Sequence, residues 1–126
     1  MVAIADTSAP SVPSGVTATV SGDDVSVAWS ASSDNVGVTG YRVYRGTSPD
    51  FSVGTSSLVG RPTGLSFSDN NLADGTYYYV VRAVDAAGNL SGNSAVVSAS
   101  VTPAPVEPVT VTATVVEDSS AVQASP

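Results

Sequence analysis

What most constrains this chain is a succession of short segments in which apolar and polar residues alternate, each closed by turn-forming residues. Val16-Thr17-Ala18-Thr19-Val20 stops at Gly22-Asp23-Asp24, and Val25-Ser26-Val27-Ala28-Trp29 follows at once. A polar loop over 30–40 leads to Tyr41-Arg42-Val43-Tyr44-Arg45. An irregular stretch over 46–64 holds the apolar pair Leu58-Val59, and Leu65-Ser66-Phe67-Ser68 is a brief further segment. Residues 76–84 form the longest run, residues 85–93 a loop, and residues 95–101 the last run. Alternation with period two sends successive side chains to opposite faces of a strand. Val25, Val27 and Trp29 therefore share one face, as do Tyr77, Tyr79, Val81 and Ala83. No stretch sustains a 3.6-residue period, so no helix of consequence is expected. Seven short strands of this kind predict an all-β, antiparallel, immunoglobulin-like sandwich of two sheets.

Charge and residue type exclude several functions. The four basic residues are all arginines, against eleven acids, for a net charge of −7. A duplex-binding surface needs clustered Lys and Arg to displace counterions, so no nucleic-acid partner is expected. The same deficit argues against anionic membrane surfaces. No apolar run reaches the roughly 20 residues that span a bilayer. Cys and His are both absent. That removes disulfides, thiolate chemistry and the commonest general base and metal ligand. The Ser and Thr residues have no His or Lys to activate them, so no nucleophilic triad is expected. The carboxylates lie in loops with no sign of a cleft to hold a glycosidic bond between two of them. Gly37-Val38-Thr39-Gly40 precedes a strand rather than a helix, so it is no nucleotide-binding turn. The chain is read as a non-enzyme.

The ends differ from the middle. Residues 1–8 read as an extended segment, and Pro10 and Pro13 keep the start of the domain out of helix. Residues 1–9 lack the basic-then-apolar pattern of a signal peptide, so a secreted parent would make this a mature piece. From Pro103 the composition turns Pro/Thr/Val-rich. Residues 103–126 read as a linker, with the start of a truncated next domain as the alternative.

Three stretches resemble a known family. Leu72-Ala73-Asp74-Gly75-Thr76-Tyr77 is similar to the leucine–glycine–tyrosine corner of fibronectin type III domains. Residues 81–89, Val-Arg-Ala-Val-Asp-Ala-Ala-Gly-Asn, resemble the end of the sixth strand and its loop in bacterial members. Residues 34–45 resemble their second-to-third strand region, and residues 6–13 the join that precedes such domains. The resemblance covers about residues 6–102 and places the domain at 9–102. It implies a Tyr77 hydroxyl returning to upstream backbone, with Trp29 and Leu72 as core supports. It also implies a non-catalytic accessory module, spacing or orienting domains of a secreted bacterial enzyme or a cell-surface protein. The loop over 85–93 carries no Arg-Gly-Asp, so integrin binding is not implied.

Two constellations offer more. In that fold the chain start, the second-to-third loop and the sixth-to-seventh loop share a pole, which would gather Asp6, Asp34, Asp85 and Asn89. Such oxygens suit Ca²⁺, and a cation there would stiffen the joint with a preceding module. The competing expectation is that these side chains cap backbone amides in turns, with no cofactor at all. Asp69-Asn70-Asn71 and Asp23-Asp24 are likewise read as turns. The second constellation places Tyr44 and Tyr78 together on the outer face, flanked by Arg42 and Arg82. Exposed aromatics of this kind would suit a polysaccharide; the competing expectation is a cross-strand pair that only stabilises the sheet. Asn89-Leu90-Ser91 fits the glycosylation pattern and is read as coincidence. The remaining alternatives are a carbohydrate- or surface-binding module and a structural or adhesive unit of a surface assembly. As an isolated module the chain is expected to be a monomer whose partners are neighbouring domains of its own polypeptide.

Overall fold

The computed structural model describes residues 7–103. Asp6 and the expected linker from residue 104 onward lie outside the described residues.

Seven strands follow in chain order: β1 Ser14–Ser21, β2 Asp24–Ser30, β3 Val38–Gly46, β4 Leu58–Gly60, β5 Ser66–Asp69, β6 Gly75–Asp85 and β7 Val97–Val101. They form a three-stranded sheet, β1-β2-β5, and a four-stranded sheet, β4-β3-β6-β7. Every paired strand is antiparallel. No described residue is helical.

The inward faces are those the alternation predicts. Val25, Val27 and Trp29 from β2 meet Tyr41 and Val43 from β3, Tyr79, Val81 and Ala83 from β6, and Ala99 and Val101 from β7. The rings of Trp29 and Tyr41 pack at 5.3 Å between centroids. The Tyr41 hydroxyl accepts a bond from Ser32 N at 3.0 Å, so one core side chain also holds the β2–β3 loop. The β5–β6 crossing is tightened where expected: Tyr77 donates its hydroxyl proton to Ala73 O at 2.6 Å. Leu72 packs on the core, and its N–H donates to Asp23 O at 2.9 Å.

Two boundaries differ from expectation. β3 begins at Val38 rather than Tyr41, with an irregularity in register between Val38 and Gly40. β7 begins at Val97 rather than Ala95, because the segment before it is claimed by other bonds. Ser91 N donates to Ala83 O and Ser94 N to Val81 O, at 2.9 and 3.0 Å. In return the two hydroxyl oxygens accept from Ala83 N and Val81 N, both at 2.8 Å. A pair of buried serines thus stands in for a strand beside the upper half of β6.

Candidate functional site

Three places bear on function: the pole where the chain enters, the outer face of the four-stranded sheet, and the opposite pole.

At the first pole Asp85 ends β6 and is 2 % exposed. Its Oδ1 accepts from Ala87 N at 3.0 Å and Asn89 N at 2.9 Å, and its Oδ2 accepts from Asn89 Nδ2 at 2.9 Å. Gly88, at φ +91°, supplies the left-handed turn that closes this loop. Asn89 Nδ2 also reaches Ser8 O at 3.4 Å. Asp34 makes a separate turn, its Oδ2 accepting from Val36 N at 3.2 Å and Gly37 N at 3.1 Å. Its Oδ1 is buried and has no hydrogen-bond partner among the described residues. The structure therefore joins Asp85, Asn89 and the leading segment, and uses Asp34 to shape its own loop. Among the described residues no three acidic side chains gather as a metal site would require. The Asn89-Leu90-Ser91 sequence is absorbed in the same network, since Ser91 is fully buried.

On the outer face the register places Arg42 opposite Arg82, Tyr44 opposite Val80 and Gly46 opposite Tyr78. Tyr44 and Tyr78 share the face, diagonally rather than side by side. Tyr44, however, is 3 % exposed and Val80 1 %. A side chain at Gly46 would collide with the Phe51 ring, so Phe51 lies over the end of β3 on this face. The open aromatic platform expected here is covered at Tyr44, and Tyr78 is half-buried. Arg82 is turned aside, its Nε donating to Ser91 O at 2.7 Å. Periodicity could not reveal Phe51, which lies in irregular chain. The one signal was Gly46 at a strand end, where a missing side chain marks a close approach.

The opposite pole holds a cluster that turn reading missed. Asp69 is not a turn residue but the last inward residue of β5, 8 % exposed. Arg45 Nη1 donates to Asp69 Oδ1 at 2.8 Å and Oδ2 at 2.7 Å, and the Tyr79 hydroxyl donates to Oδ2 at 2.7 Å. Arg45 also lies 5.6 Å from the Tyr77 ring centre. Burial, then the bond to Asp69 and its charge, holds the Tyr79 hydroxyl pKa well above the ordinary tyrosine range. The cluster ties β5 in one sheet to β3 and β6 in the other. It was findable: Arg45 extends the inward series Tyr41, Val43, and Asp69 extends Leu65, Phe67. Near this pole an open recess of about 410 Å³ is lined by Gly22, Asp23, Leu72, Asp74, Thr102 and Pro103. It brings no base to a nucleophile, and no described cluster elsewhere has the makings of catalysis.

No protein-family model matches the chain. It is 44 % identical over 102 residues to chitinase A1 of Niallia circulans, covering 79 % of this chain and 13 % of that protein. It is 46 % identical over 92 residues to exoglucanase B of Cellulomonas fimi, covering 71 % of this chain and 8 % of that protein. Among solved structures it matches an Fn3-like protein from Clostridium thermocellum at TM-score 0.59 and 29 % identity, covering 79 % of this chain and 99 % of that one. The chain thus spans a small part of the curated relatives it matches, and nearly the whole of the solved Fn3-like chain.

Proposed function

The chain belongs to the fibronectin type III family, and from that membership we propose that it is a non-catalytic accessory module, spacing or orienting the domains of a secreted bacterial polysaccharide-degrading enzyme. One observation carries this reading. Segments closely similar to this chain occur as small parts of proteins named for different reactions, a chitinase and an exoglucanase. A module common to both cannot be what sets either chemistry, and fold alone does not assign function. The described residues agree: the ionic cluster is sheet-to-sheet, and Asp34 and Asp85 cap amides of their own loops. What the module offers is a stiff body whose ends leave from opposite poles. Its partners on this reading are the neighbouring domains of its own polypeptide, outside the cell.

The isolated chain should release no sugar from chitin, cellulose or starch. It should also run unretarded in native gels containing soluble chitin derivatives, hydroxyethyl cellulose or xylan. Retardation abolished by Tyr78→Ala or Arg42→Ala would overturn the spacer reading in favour of a polysaccharide-binding module using the outer face.

A further inference from the structure

The leading segment is built into the domain rather than hung from it. Pro10 and Pro13 are buried, and each fixes its own φ. Between them Ser11 is bonded in both directions to the β2–β3 loop: Ser11 N donates to Ser33 O at 2.8 Å, and Ser33 N donates to Ser11 Oγ at 2.9 Å. Val12 lies against the β6–β7 connection, within ordinary contact of where a Gly92 side chain would be. Further out, Ser8 O accepts from Asn89 Nδ2, which is itself bonded to buried Asp85. The β2–β3 loop joins the two sheets and the β6–β7 connection belongs to one of them, so the segment is stitched to the body at two independent places.

We infer that residues 8–13 are a fixed strap, so that the joint with a module attached ahead of this one does not swing within them. This pole then presents a constant direction of approach to that module, set by hydrogen bonds and prolines and needing no cation. The partner rests on the accessory reading; the strap does not.

Amide hydrogen exchange on the isolated, ¹⁵N-labelled chain tests the strap. Opening free energies in a folded protein run from near zero at fraying ends to the global value in the core. The Ser11 and Ser33 amides should exchange at least about 100-fold more slowly than unstructured chain, well above fraying ends. In Ser11→Ala/Asn89→Ala, Ser33 exchange should rise at least about tenfold while Val27, Val43 and Val81 keep their protection. Ser11→Thr, which retains an oxygen acceptor, should restore Ser33 protection. Unstructured-chain rates at Ser11 in the native protein would overturn the strap. So would a double variant that leaves Ser33 unchanged. Either failure would leave the accessory reading standing, because the polysaccharide gels test that separately.

Discussion

Replacing Asp69 with Ala should destabilise the domain by several kcal/mol, as much as a core truncation, although it removes no apolar group. Two separate losses add. The first is the ion pair with Arg45. Breaking a fully buried pair costs about 3–5 kcal/mol and an exposed one about 0–1. This pair lies between, because the Arg45 side chain is 31 % exposed and that of Asp69 10 %. A released guanidinium can turn toward water, so about 1–2 kcal/mol is assigned to it. The second loss is the acceptor of the Tyr79 hydroxyl. Tyr79 is 0 % exposed and cannot turn, so its orphaned O–H costs about 1–3 kcal/mol. The sum is about 3 kcal/mol, a fall in Tm of roughly 10–20 °C for a domain of this size. The chain's one tryptophan, Trp29 in the core, makes fluorescence-detected urea and thermal melts the direct assay. The companion variant decides the mechanism. Tyr79→Phe should be destabilising in the native background yet neutral or stabilising in Asp69→Ala, because there it removes the orphaned group. A loss under about 1 kcal/mol in Asp69→Ala would refute this account, as would equal effects of Tyr79→Phe in both backgrounds.

The raised pKa of Tyr79 makes stability fully present below the unfolded tyrosine value near 10 and lost as pH climbs above it. Between pH 10 and 11.5 the native chain should therefore lose up to about 1.4 kcal/mol per pH unit more than Tyr79→Phe in urea titrations. Ser94→Ala should cost about 1–3 kcal/mol, because the buried Val81 N–H loses its acceptor; exchange at that amide should quicken most. Gly60→Ala should cost about 1–3 kcal/mol by driving a methyl group into the Phe67 ring, read as a lower urea midpoint at unchanged m. After EDTA, millimolar CaCl₂ should move Tm by less than about one degree, because Asp85 and Asn89 already bind one another and the loop amides. A larger shift, lost in Asp34→Ala, would establish a cation at the buried Asp34 Oδ1.

Alternation alone located the strands and the inward series, because a period of two is a property of the backbone and needs no partner to be seen. It missed what depends on the partner. Asp69 looked like a turn because Asp-Asn-Asn is turn chemistry, and its strand role shows only when Arg45 and Tyr79 face it. Tyr44 lay on the outer register as expected, but register says nothing about cover, and Phe51 comes from chain without a period. The leading pole was legible in part: Asp85, Asn89 and the backbone of Ser8 do converge, while Asp34 spends one oxygen on its own turn. The start of β7 was misplaced because Ala95-Val96 continues the alternation, whereas Ser91 and Ser94 already occupy the neighbouring edge of β6.

That serine pair has a consequence for crowded surroundings. An open strand edge is a template on which a foreign strand can zip, the usual route to edge-to-edge aggregation. β7 covers β6 only from Gly75 to Tyr79. Beyond it, the amides and carbonyls of Val81 and Ala83 are already taken by Ser91 and Ser94. The longest and most apolar strand of the domain thus offers no purchase there to a neighbouring copy. Along that stretch the two serines do the work of a longer seventh strand, closing the edge of β6 to a strand from a neighbouring module.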